Sequence, residues 1–189
     1  MSKIKLTNQS APTTPSSGKT EVYVDSVTKK IASKDDAGVV TAYTSATGVS
    51  ATTAKARAHR YSAYTPGAAN AVKVPLNVED YDPGNNFDDV TNYRFVAPVS
   101  GYYAVSGRVG ITPWNEEIYY ALLYVNGVEK ARGSVIRCTA SEINIGLVVS
   151  DIVYMASGSY VELWAYCTYQ RPFVTGSSQT YMAVHLLST

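Results

Sequence analysis

The chain of 189 residues is 46% hydrophobic and 16% charged, with a formal net charge of +1, which is enough apolar material for one substantial core plus an appendage. It has no apolar run long enough to span a bilayer, no block of Lys and Arg interleaved with aromatics, and no apolar leader behind Met1. Membrane insertion, nucleic-acid binding and signal-directed secretion are therefore disfavoured, and the expected setting is assembly in a cytoplasm.

The charge is uneven: residues 1–60 hold nine Lys or Arg against four Asp or Glu, and residues 61–189 hold seven against eleven. Within residues 7–20, Pro12 and Pro15 exclude helix. Residues 21–25 and 29–33 then read as two short strands around a Ser26–Thr28 turn, followed by a turn at residues 35–38 and by Val39-Val40. About forty residues with so few apolar side chains cannot build a private core. Residues 1–40 are therefore expected to be an attachment arm stabilised by a docking surface. Ser17-Gly-Lys-Thr20 matches the tail of a phosphate-binding loop, but Thr13 stands where the opening Gly belongs and Val22-Tyr-Val24 predicts a strand where a helix is required. Residues 41–57 are Ser-, Thr- and Ala-rich and read as a linker or stalk, with a short helix near 51–58 or triple-stranded packing as alternatives.

From residue 58 to 189 the pattern is strand, turn, strand. Residues 73–78 predict a strand placed at an edge by Pro75. Residues 93–111 predict two strands around a turn between Pro98 and Gly101, with Gly101 supplying a positive φ. On the second of these, Tyr103, Val105, Gly107, Val109 and Ile111 share one face, opposite Ser106 and Arg108. Residues 118–125 are apolar on both faces, which predicts a cover on each, another subunit being a candidate. Asn126-Gly127 then predicts a tight hairpin. In residues 160–167 the aliphatic set Val161, Leu163, Ala165 and Cys167 is assigned to the core, leaving Tyr160, Glu162, Trp164 and Tyr166 facing outward.

Catalytic signatures are absent: there is no Gly-x-Ser-x-Gly elbow, no His-Glu-x-x-His and no clustered Cys/His spacing. Glu116-Glu117 and Asp88-Asp89 are adjacent pairs whose side chains diverge on a strand, whereas a glycosidase needs two acids facing one bond. The expectation is a non-enzyme without cofactor. Asp80 and Asp82, in an acidic loop, are a weak calcium candidate, since Thr91 replaces the bidentate Glu of a calcium-binding helix-loop-helix. Trp114 and Asn115, in a polar loop, and Tyr160, Trp164 and Tyr166 are the expected receptor contacts, Trp114 as a saccharide-stacking ring, with burial of that ring under a neighbouring strand as the alternative. Cys138 and Cys167 read as buried thiols, with pairing left open.

Phe95, Gly101 and Tyr103, with Leu76, Asp82 and Phe87 upstream, resemble the signature of the globular head of complement subcomponent q, a trimeric jelly roll related to the tumour-necrosis-factor head. Leu76 replaces a Phe of that signature, and Val105 and Gly107 stand where the family has aromatics. Residues 58–64, 157–163 and 180–187 resemble its first strand, its Gly-Asp-x-Val-x-Leu hairpin and its closing strand. The layout of residues 1–40 resembles small attachment modules of phage tail fibres. Together these imply an all-β homotrimer with an N-terminal virion-attachment arm (1–40), a linker (41–57) and a jelly-roll head (58–189). The implied function is that of a fibre or appendage on a phage particle, bound to capsid or tail through the arm and displaying its heads to a host glycan or protein. A capsid decoration trimer is the alternative, favoured by the basic arm, and a glycan-cleaving appendage is a second.

Overall fold

The computed structural model describes residues 8–43, 53–66, 70–139 and 143–189. The described residues contain strands and turns and no helix, in two compact units, Met1–Gly48 and Val49–Thr189.

The first unit is one sheet of β1 (Asn8–Gln9), β2 (Glu21–Asp25), β3 (Ile31–Lys34) and β4 (Val40–Tyr43), in that order. β1 runs parallel to β2, and the other pairs are antiparallel. Asp25 makes the first turn. Its Oδ1 accepts from the Val27 amide at 3.1 Å, the Thr28 amide at 2.6 Å and the Thr28 hydroxyl at 2.9 Å, and these donors, Thr28 foremost, hold its carboxyl below the usual range. The turn takes in Lys29, left-handed at φ 58°, so the second strand starts at Ile31 and not at residue 29 as expected. Asp35 folds the next turn by accepting the Ala37 and Val39 amides. At the segment resembling a phosphate loop, the Gly18 amide donates to Asp36 at 2.7 Å and the chain continues into β2, so that amide already has an anionic partner. Tyr23 and Ala32, paired across the strands, are buried, while Val22, Ile31, Val39 and Val40 are exposed.

The second unit is a two-sheet sandwich. The first sheet contains β5 (Lys55–His59), β7 (Val78–Tyr81), β10 (Gly101–Ile111), β14 (Ile145–Met155), β16 (Phe173–Val174) and β17 (Tyr181–Ser188). Its order is β14-β10-β17-β5-β7, with β16 beside β10. The second contains β6 (Asn70–Lys73), β8 (Phe87–Asp88), β9 (Arg94–Val96), β11 (Ile118–Val125), β12 (Val128–Arg132), β13 (Ile136–Arg137) and β15 (Tyr160–Cys167). Its order is β12-β11-β15-β9-β8, with β13 beside β11 and β6 beside β15. Alternation selects the core as expected: Tyr103, Val105, Val109 and Ile111 of β10 and Val161, Leu163, Ala165 and Cys167 of β15 are buried between the sheets. Each large apolar side chain enclosed there contributes about 1.5–3 kcal/mol. Phe87, Phe95 and Tyr103, the signature aromatics, join this core, with the Phe95 and Tyr103 rings 5.8 Å apart and the Tyr103 hydroxyl donating to the Val99 carbonyl at 2.8 Å.

Several expected features take a different form. The edge strand at residues 73–78 is instead a crossing: β6 pairs with β15 in one sheet, β7 with β5 in the other, and Pro75 lies between, where no ladder amide is needed. Likewise β9 and β10 lie in opposite sheets, as do β14 and β15, so the turns at Pro98–Gly101 and at Gly158 pass the chain across the sandwich and do not close hairpins. Gly101 is outside the left-handed region. It is glycine because a Cβ would strike the Ser188 carbonyl oxygen. The β11–β12 hairpin forms as expected, with Asn126 at φ 50° and Gly127 at φ 77°. Both ends of the segment expected as linker are strand, residues 41–43 in β4 and 55–57 in β5; residues 44–52 lie outside the described residues.

Candidate functional site

Residues 112–117 join β10 to β11 and residues 168–172 join β15 to β16, and the two loops meet around one buried carboxylate. Glu117 is 2% exposed. Its oxygens accept from Arg171 Nε at 2.9 and 3.1 Å and from Arg171 Nη2, and the Tyr119 hydroxyl donates to Oε2 at 2.5 Å. The same phenol oxygen accepts the Trp114 amide at 2.8 Å. Arg171 holds the Glu117 carboxyl below its ordinary range, and Glu117 in turn raises the guanidinium. Burial, then the hydrogen bond to Glu117, pushes the Tyr119 phenol up to about 12. The backbone braces the arrangement. Glu116, at φ 61°, donates its amide to the Cys138 carbonyl at 2.7 Å, and Thr168 Oγ1 accepts the Ile118 amide at 2.9 Å.

Above this base lies an open hollow of about 630 Å³ lined by Trp114, Glu117, Tyr169, Gln170 and Arg171. Trp114 is 56% exposed and Tyr169 62% exposed, and the Arg171 guanidinium sits over the Trp114 ring, 5.1 Å from its centroid. Asn115 is exposed in the same loop as Trp114. Glu116 diverges to pair with Arg137 at 2.9 Å, so the two adjacent carboxylates face different partners.

Tyr160, Trp164 and Tyr166 are not in that hollow. They lie half-buried on the outer face of the second sheet, knitted to neighbouring strands: Tyr166 stacks on Tyr120 at 4.6 Å and Trp164 on Tyr124 at 4.7 Å, while Arg132 covers Tyr120 and Arg94 covers Tyr160. Glu162, buried among them, accepts from the Trp164 indole at 3.0 Å and pairs with Lys73 at 2.7 Å. This layer accounts for Leu122, which points away from the core yet is 1% exposed. Both faces of β11 are covered, the outer one by the chain's own aromatics.

The apolar face left open belongs to the first sheet. Tyr102, Val148, Ile152, Tyr154 and Leu187 project from β10, β14 and β17 with half or more of their surface exposed. Tyr102 and Tyr154, cross-strand partners, meet edge to face at 5.4 Å.

Asp80 pairs with Arg57 and lies 3.0 Å from His59 Nδ1, while Asp82 accepts the Phe87 amide at 2.6 Å and the Gly84 amide at 3.3 Å. The two carboxylates thus serve separate partners, and a guanidinium beside Asp80 is a poor neighbour for a cation. Asp88 plays the same turn-capping part, its carboxyl lowered to about 2 chiefly by the Thr91 amide. Cys138 and Cys167 are separate buried thiols, and burial pushes Cys167 up to about 12. Sequence reasoning missed Tyr169, Gln170 and Arg171. Glu117 was visible only as half of a carboxylate pair, because its partner is fifty-four residues away.

No family model matches the chain. Over 102 residues it is 32% identical to the uncharacterized protein YqcC of Bacillus subtilis (strain 168), a match covering 51% of this chain and 28% of YqcC, so the chain spans little more than a quarter of that relative's length. Among solved structures, the globular domain of zebrafish complement 1qA superposes with a TM-score of 0.53 at 11% identity, covering 70% of this chain and 96% of that domain. Murine APRIL superposes with a TM-score of 0.55 at 9% identity, covering 70% and 98%. The fold is a complement-1q-like jelly roll. The resemblance expected from Phe95, Gly101 and Tyr103 holds at the level of fold, and at these identities it speaks for fold alone.

Proposed function

We propose that the protein is a non-enzymatic structural part of a phage virion, a homotrimer whose N-terminal unit fixes it to the particle and whose jelly-roll heads are displayed for adhesion to a host surface. The observation that carries this reading is the open apolar face of the first sheet. Five large apolar side chains on one face of a single sheet are more than a solitary subunit usually leaves in water, and a threefold arrangement of this face, the assembly the resemblance implies, would cover it. Val22, Ile31, Val39 and Val40 give the N-terminal unit its own apolar surface, as an attachment module requires. Chemistry is disfavoured because, among the described residues, the one carboxylate lining the Trp114 hollow is held ionised by Arg171, so it makes a poor general acid.

The decoration reading rested on a basic arm, and that support shrinks. With the boundary after Gly48, the first unit holds six Lys or Arg against four Asp or Glu, because Lys55, Arg57 and Arg60 fall in the head. The test is the native mass of the full chain with immunogold labelling of particles. A trimer, and label on virions, are expected; a monomer at micromolar concentration, or particles that never carry label, overturns the proposal.

A further inference from the structure

We propose that the hollow between residues 112–117 and 168–172 is a binding site for a neutral pyranose, the sugar ring stacking on Trp114 and flanked by Tyr169. This deepens the adhesive reading and rests on it for its role, but the chemistry is complete within one chain.

Three observations converge. First, two aromatic side chains, each more than half exposed, border one concave hollow, and neither belongs to the sandwich core or to the open face of the first sheet. Arg171 lies over one part of the Trp114 ring, but an indole more than half exposed keeps apolar surface for the C–H face of a pyranose, and a neighbouring phenol adds a polar tip. Second, the platform is built in advance. The Trp114 amide is tied to Tyr119, Tyr119 to Glu117, and Glu117 to the Arg171 group that lies over the indole, so four side chains hold one arrangement before any ligand arrives. Preorganisation of this kind spares a ligand the cost of ordering its site. Third, the charges cancel locally. Arg171 places Nε and Nη2 on Glu117, which leaves Nη1 outside the pair and, among the described residues, no excess charge at the base of the hollow. Hydrogen-bonding groups without net charge suit hydroxyls and acetamido groups better than carboxylates or phosphates. Asn115, exposed next to Trp114 in the same loop, carries further amide donors and acceptors.

The chain has two tryptophans, so fluorescence assigns the response once each is removed in turn. The full chain, as wild type and as the Trp114→Phe, Trp114→Ala, Tyr169→Ala and Trp164→Phe variants, is titrated with methyl glycosides of glucose, galactose and N-acetylglucosamine and with their trisaccharides. Sialic acid and glucuronic acid form the acidic arm. The expected result is a saturable change in indole emission with at least one neutral sugar. It should persist in Trp164→Phe, vanish in Trp114→Ala, and weaken about tenfold or more in Tyr169→Ala, the last two confirmed by calorimetry. Equal response in Trp114→Ala, saturation only by the acidic sugars, or no saturation at tens of millimolar sugar each overturns the inference. Native mass is measured on the same samples. A monomer that binds sugar through Trp114 upholds this inference while defeating the trimer, and a trimer that binds none does the reverse.

Discussion

At the scale of single residues, the site depends on one buried charge being answered. Replacing Glu117 with Gln removes the acceptor of two Arg171 nitrogens and of the Tyr119 phenol, leaving a guanidinium without its partner, and should cost about 2–4 kcal/mol in urea unfolding at fixed protomer concentration. The pH dependence has a definite sign. Glu117 has a lowered carboxyl pKa in the folded chain, so its contribution is present above the unfolded value of about 4.5 and is lost as pH falls through the folded value. Tyr119 is raised to about 12, so its contribution is complete below pH 10 and lost as pH climbs through 12. Melting temperature against pH should therefore fall on the acid side in the wild type and fall less steeply in Glu117→Gln, where the lowered carboxyls of Asp25 and Asp88 still contribute; an unchanged acid limb would remove Glu117 from the account. Little of this was legible in the sequence. Trp114 and Asn115 stood out as an indole in a polar loop, but nothing local ties residue 117 to residue 171, and Tyr169-Gln170-Arg171 carries no periodicity that marks it.

At the scale of elements, β10 and β15 were the most legible, because alternation with period two is a direct imprint of the pleat and each strand buries one face completely. What alternation cannot tell is which sheet a strand joins. Pro75, Gly101 and Gly158 were read as marks within or between paired strands, whereas each lies where the chain passes from one sheet to the other. The departure from the family pattern at Gly107 has a physical reason in the facing strand: a Cβ there would meet Leu163 Cδ1, so Leu163 fills the space an aromatic would take. Gly107→Val should destabilise the head by about 1–3 kcal/mol through overpacking. In a Leu163→Ala background, itself about 2–5 kcal/mol less stable, the same substitution should be neutral or favourable. A double-mutant cycle by chemical unfolding measures this, and additivity of the two changes would mean that the residues do not share the space. Trp164 and Tyr166 show the opposite limit of the pattern. Their outward direction was readable, but their stacking on β11 was not, since it needs the strand order.

For the whole molecule, the two-unit division and the open sheet face lead to separate expectations. Ile152→Lys together with Tyr154→Asp should convert the proposed trimer to monomer with the sandwich intact, since neither side chain enters the core; light scattering reads the mass and circular dichroism the strand content. Residues 49–189 expressed alone should fold, because their buried core draws on that unit alone. A piece that aggregates or stays unfolded would show that the head needs the first unit.

The position of β17 has one more consequence. It is hydrogen-bonded to β10 on one side and to β5 on the other, so, among the described residues, residues 102–108 and 55–59 are joined through residues 181–188. During synthesis β5 and β10 each keep one bare backbone edge until residues 181–188 have been made, and β17 then fills the gap between them. A chain stopped short of residue 181 would expose two naked strand edges at once, a form prone to pair with other nascent copies, and pairings of such long sequence separation are expected to make the head slow to fold.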